Sequence, residues 1–305
     1  TGAGGKGDLA FFTKQSTSAE PPVEAMRIGD DGAVAFKAQS APAAEADYAK
    51  LYSKNDDDGA TVLLCHFEGS DAATSGGGFV DASSTSVHTV AAVGTAQIDT
   101  AQYKFGSSSM LFDGNSDYLT VSDSTDFDWA GAFTVEAWVR FSAVNPGAHQ
   151  YVINSATADT SFFRIQWRGA SNVWSVGVMD TVKNDISDSL SADTWYHVAL
   201  TRDGSNNLRF YRDGVLKGSI TSGASGTIAN TAGLTIGAYS HASTATEYFN
   251  GWIDEVRIQK GAALYSGTGS FTPPASALIG TTTELYAQDS AGNATKLSPH
   301  NSDGD

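Results

Sequence analysis

The chain has 305 residues, carries a net charge of −16 and holds 18 Lys and Arg against 34 Asp and Glu, which excludes a polyanionic partner such as nucleic acid. A single cysteine, Cys65, excludes an internal disulfide, and no apolar run approaches the roughly 18 residues needed to cross a membrane as a helix. Hydrophobic residues make up 41% and charged residues only 17%, so a large core is available and the surface must be built from Ser, Thr, Asn and Gly, which suits strands and turns.

The chain opens on Thr1-Gly2-Ala3-Gly4-Gly5, which reads as the start of a fragment, with no signal peptide. Residues 1–59 hold short β-like pieces. The run 25–28, an Asp31-Gly32 turn and the run 33–36 predict a hairpin too small to be stable alone, which a copy of itself on another chain could complete. A small-residue linker over 38–46 leads to Leu51-Tyr52, and a similar Leu285-Tyr286 segment returns near the end. The two segments flank the middle of the chain, as expected if a large domain is inserted into the loop of a small stem.

Residues 60–278 read as strand after strand, punctuated by Gly and Asp/Asn/Ser turns, with helical periodicity nearly absent. Predicted strands cover 109–112, 118–121, 133–141, 162–167, 174–178, 195–202, 208–212, 215–219, 234–237 and 249–258. In 133–141, Phe133, Val135, Ala137, Val139 and Phe141 alternate with Thr134, Glu136, Trp138 and Arg140, the pattern of a half-buried strand. Cys65, inside the apolar run 61–67, is expected to be a small core residue. The expected fold is all-β, a two-sheet antiparallel sandwich over 60–278, with stem segments at 1–59 and 279–305.

Several blocks in order resemble laminin-G-like, concanavalin-A-like jelly rolls: residues 111–121 with Asp113-Gly114-Asn115, residues 133–139, residues 195–204, the Tyr211-Arg212-Asp213-Gly214 hairpin and the strand 249–258. The flanks, in Gly7-Asp8-Leu9-Ala10-Phe11, the hairpin at 26–28, Ala49 to Tyr52 and the tail from Glu284 to Asn301, resemble bacteriophage tail-fibre and related virion proteins. The second resemblance implies a homotrimeric fibre on the virion surface, in contact with other virion proteins, though no long shaft is visible. Together they imply a non-catalytic module that binds a host-surface glycan or protein.

Motifs for a serine nucleophile, zinc or a phosphate loop are absent from the sequence. A glycosidase needs two carboxylates about 5–10 Å apart across a cleft. Glu136 stands alone in its strand, and alternation is expected to turn Asp254 and Glu255 to opposite faces. An oxygen-rich loop holds Asp113, Asn115 and Asp117 at alternate positions. These suit structural Ca²⁺, which the first resemblance implies in some relatives and which Asp254 could approach, or a β-turn closed by the Asp side chains. Trp167 and Trp174 bracket a polar turn, and with Tyr151 and Tyr239 they are candidates to stack on sugar rings, or else to pack within the sheet. A purely architectural or decorating role and a polysaccharide-cleaving enzyme stand as the alternatives.

Overall fold

The computed structural model describes residues 60–83, 87–145, 147–155, 163–178, 182–221, 227, 233–241 and 244–278, together with the strand segments of the two flanks. The chain divides into two compact units, Asp58–Gly280 and a second made of Thr1–Asp57 and Thr281–Asp305. In chain order the first flank supplies β1 (Leu9–Thr13), β2 (Val23–Ile28), β3 (Val34–Phe36) and β4 (Lys50–Asn55).

The larger unit then runs β5 (Ala60–Cys65), β6 (Val90–Val93), β7 (Gln97–Asp99), β8 (Ser109–Asp113), β9 (Tyr118–Val121), β10 (Phe133–Phe141), β11 (His149–Ser155), β12 (Phe163–Arg168) and β13 (Val173–Val178). It continues through β14 (Val182–Ser187), β15 (Trp195–Arg202), β16 (Leu208–Arg212), β17 (Val215–Ile220), β18 (Leu234–Ile236), β19 (Tyr239–His241), β20 (Thr244–Thr246) and β21 (Asn250–Lys260). The chain ends with β22 (Thr283–Gln288) and β23 (Ala294–Lys296).

Two antiparallel sheets face each other. The first has the order β17-β16-β15-β10-β21-β8-β7, with β5 also on β21; the second has the order β14-β13-β12-β11-β18-β9-β6. Strand β21 is long enough to hold β10 along one side, and β8 and β5 in turn along the other. Alternation puts one row of each strand into a shared core. From the first sheet come Phe133, Val135, Ala137, Val139, Phe141, Val198 and Leu200; from the second, Ile153, Ile165, Trp167, Trp174 and Val176. Cys65 lies fully buried in the first sheet, and burial raises its thiol pKa well above the usual value. The Asp213-Gly214 turn joins β16 to β17 with both residues at positive φ, 51° and 74°, the conformation that a two-residue hairpin turn requires.

The outward row of β10 departs from the half-buried reading. Thr134, Glu136 and Trp138 are as buried as the inward row. A strap over residues 261–278 covers part of this face. Thr134 Oγ1 donates to the Ala262 carbonyl at 3.0 Å and accepts from Leu264 N–H, and Thr201 Oγ1 donates to the Tyr265 carbonyl at 2.8 Å. Tyr265 and Phe271 stack at 3.8 Å, and Phe271 N–H donates to the Gly214 carbonyl. A Cβ at residue 214 would sit 1.8 Å from the Phe271 carbonyl oxygen, so only glycine lets the strap close there.

In the second unit, β1-β2-β3 form one three-stranded sheet and β23-β22-β4 another. Arg27 pairs with Ala35 in the predicted hairpin, and the two Leu-Tyr segments are neighbouring antiparallel strands with Tyr52 opposite Tyr286. The expected Asp31-Gly32 turn lies outside the described residues.

Candidate functional site

Trp167 and Trp174 are not surface residues. They are directly opposite each other on β12 and β13, both fully buried, with ring centroids 5.2 Å apart. Their indole N–H groups are satisfied within the fold, by the Val144 carbonyl at 2.7 Å and by Asp188 Oδ2 at 3.2 Å. The physical reason is strand alternation: Phe163, Ile165 and Trp167 share the inward row, so the outward row is Arg164, Gln166 and Arg168.

Tyr151 and Tyr239 do come together. Their rings lie 5.1 Å apart on the outer side of the second sheet, Tyr151 almost fully covered and Tyr239 half-buried. Polar side chains ring this pair. His149 Nδ1 and Glu247 Oε1 are 3.1 Å apart, and Gln166 Nε2 donates to Glu247 Oε2 at 3.2 Å. Arg168 Nε donates to Gln166 Oε1 at 3.0 Å, and its Nη1 pairs with Asp185 Oδ2 at the same distance. The phenol of Tyr151 is pushed up to about 12, chiefly by burial and also by the Glu247 charge, with Arg164 acting in the opposite sense. Planar donors and acceptors beside an aromatic face suit a polyhydroxyl ligand, whose C–H faces stack while its hydroxyls bond. Sequence reasoning missed Gln166, Arg168, His149 and Glu247. The signal for the first two was their position one residue either side of a core tryptophan; Glu247 has no comparable signal.

The four residues proposed for a cation do not form one site. Asp113 Oδ1 accepts from the N–H groups of Asn115 and Ser116 at 2.8 and 3.1 Å, closing the turn. Asp117 is buried and accepts from Thr95 N–H and from Asp113 N–H. Asp254 lies four residues along β21 from Asn250, the partner of Asp113, and its Oδ2 accepts from the N–H groups of Lys104 and Phe105 at 2.8 and 3.2 Å. Among the described residues no three His, Cys, Asp or Glu side chains are placed to hold a metal ion.

Asp254 and Glu255 also depart from expectation. The β10–β21 register shifts between Glu136 and Trp138, and Glu255 has φ +52°. This bulge interrupts alternation, so Ile253 and Val256 both face the core and neither carboxylate between them does. Glu255 accepts from Leu278 N–H at 2.6 Å and meets His66 Nδ1 at 2.9 Å. That contact raises the His66 pKa.

Burial, aided by the Glu255 charge, pushes the Asp254 carboxyl up to about 7. The folded state then binds a proton that the unfolded chain releases near pH 4. Stability from this group is complete below about pH 4 and is lost as pH rises toward 7, a span on the order of 4 kcal/mol. Asp254→Asn is therefore expected to be more stable than the parent at pH 8 and to lose this slope. Urea denaturation of both proteins at pH 5 and pH 8 checks it, and equal slopes would refute it.

Residues 113–264 match the laminin-G model of the Concanavalin A-like lectin/glucanases superfamily. No curated protein matches the chain. Among similar solved structures is domain 4 of AbnA, a GH43 extracellular arabinanase from Geobacillus stearothermophilus, in complex with arabinotriose; it is 18% identical, covers 70% of this chain and 95% of its own, and has a TM-score of 0.49. Another is the binding domain of botulinum neurotoxin serotype D/C, 16% identical over 65% of this chain with a TM-score of 0.50, where the match spans 48% of that domain. At these identities the likeness is one of fold. The family model covers just under half of the chain, and the two facing antiparallel sheets agree with the concanavalin-A-like fold it describes.

Proposed function

We propose that the larger unit is a non-catalytic carbohydrate-binding module whose ligand lies on the outer face of the second sheet, over Tyr239 and Tyr151. The observation that carries this reading is the half-buried Tyr239, its ring tilted at 36° against Tyr151, beside the linked polar side chains of Glu247, His149, Gln166 and Arg168. The family description, which joins lectins with glucanases, supports a saccharide ligand. The burial of Glu136, Asp254 and Glu255, each already engaged by donors from the protein, favours binding over hydrolysis.

The same reading places the module on an oligomerising stem, as in a virion fibre that attaches to a host-surface glycan. The flanks form two three-stranded sheets, and strands from copies of this chain would extend them. Avidity would then multiply a weak single-site affinity.

The test is a glycan array probed with the 305-residue chain and with Tyr239→Ala, alongside sedimentation to read the oligomeric state. The parent is expected to bind a defined set of glycans, and Tyr239→Ala to lose at least about tenfold in affinity for them with its melting temperature little changed. An array without saccharide binding would overturn the function, and a monomer in sedimentation would overturn the stem.

A further inference from the structure

The outer face of the first sheet carries a second aromatic surface, beyond the strap and on the opposite side of the sandwich from Tyr239. Trp195, Arg140 and Trp252 are directly opposite one another on the neighbouring strands β15, β10 and β21. Tyr196, Val139 and Ile253, one residue from each, lie in the core, so these three side chains share the outer face, and all three are only half-buried. Two strand spacings put the tryptophans about 10 Å apart. The Arg140 guanidinium sits 4.6 Å from the Trp252 ring, and Trp252 Nε1 donates to Asp99 Oδ2 at 2.5 Å, which fixes the indole plane.

Two cations, Arg140 and Lys104, and two carboxylates, Asp193 and Asp99, line this surface, and among the described residues only one of these cations is held in an ion pair. Arg140 is paired with Asp193 at 2.9 Å. Lys104, whose ammonium lies 3.9 Å from the Trp138 ring, has no carboxylate partner among the described residues. Trp138 faces Asp254, two residues from Trp252, so Trp138, which carries Lys104 over its ring, stands at the diagonal spacing of about 7–8 Å from Trp252. Tyr103, 45% exposed, stands beside it in the chain. In a protein of net charge −16, Lys104 resting on an aromatic border is a cation free to meet a negative group on a ligand.

We propose that this face is a second saccharide site, selective for acidic sugars, in which rings stack on Trp252 and Trp195 and a uronate carboxylate pairs with Lys104. The proposal rests on the carbohydrate reading above but uses none of the residues around Tyr239.

Calorimetric titration of the full chain with hexagalacturonate and with its neutral methyl ester tests it. Hexagalacturonate is expected to bind saturably and the ester at least about tenfold more weakly. Lys104→Glu and Trp252→Ala are each expected to weaken the acid at least about tenfold, Trp252→Phe to restore most of it, and Tyr239→Ala to leave it unchanged. Near-UV circular dichroism matching the parent certifies the fold of each variant. No binding of hexagalacturonate, equal binding of the ester, or affinity retained in folded Lys104→Glu and Trp252→Ala would overturn the second site. If neutral glycans bind the array while hexagalacturonate does not, only this inference falls; if nothing binds, the function above falls first.

Discussion

Glu136→Ala is expected to destabilise the larger unit by about 3–5 kcal/mol, the cost of removing one member of a buried charged cluster. Glu136 is fully buried under the strap, with Oε2 at 2.9 Å from both His197 Nε2 and the Tyr265 hydroxyl and Oε1 at 2.8 Å from Arg257 Nε. Alanine removes one acceptor from three donors that cannot all turn to water. Burial by itself would raise this carboxyl, but the His197 hydrogen bond and the Arg257 charge outweigh it and hold the pKa at about 2. The sign follows from a depressed acid. Its contribution is complete above the unfolded value near pH 4.3 and is lost as pH falls toward 2. Parent and variant should therefore differ most at pH 7 and converge toward pH 2. Urea denaturation at pH 7 and pH 3 reads both effects, and a gap under about 1 kcal/mol at pH 7 would mean that the cluster contributes no more than a surface pair.

Trp174→Ala is expected to cost a similar amount, about 3–5 kcal/mol, by a different mechanism. Its ring is fully buried, with Trp167 and Phe210 each at 5.2 Å and Phe141 at 6.0 Å, so truncation opens a cavity lined by rigid aromatics. The Asp188 carboxylate survives the change, because Arg212 and Lys217 also hold it, at 2.7 and 2.8 Å. The folded fraction of Trp174→Ala should bind glycans as the parent does, while Tyr239→Ala should show the reverse, stability kept and binding lost. Thermal melts paired with array affinity separate the two. Loss of affinity in fully folded Trp174→Ala would return that tryptophan to the ligand surface.

Much of the fold was legible because strands have a period of two. The five apolar side chains of β10 lie in the core as the alternation predicts, and Asp213-Gly214 makes the hairpin turn. The candidate site was less legible. A tryptophan is both the largest apolar side chain and an amphipathic one, so Trp167 and Trp174 at the ends of a polar turn fit either a core or a sugar platform. Their burial depends on which row meets the facing sheet, and that follows only when the register of β12 against β13 is known.

The sequence by itself determined the strands, their inward rows and therefore the sandwich, since local alternation and turn chemistry act within a few residues. Tertiary structure alone decided that Glu136 would be covered by a strap more than 120 residues away in the chain, that a bulge would turn Asp254 and Glu255 away from the core together, and that Tyr151, Tyr239 and Glu247 would meet. Each of those outcomes is a contact between segments distant in sequence, and no local pattern encodes such a contact because its partner's position is set by the packing of the whole.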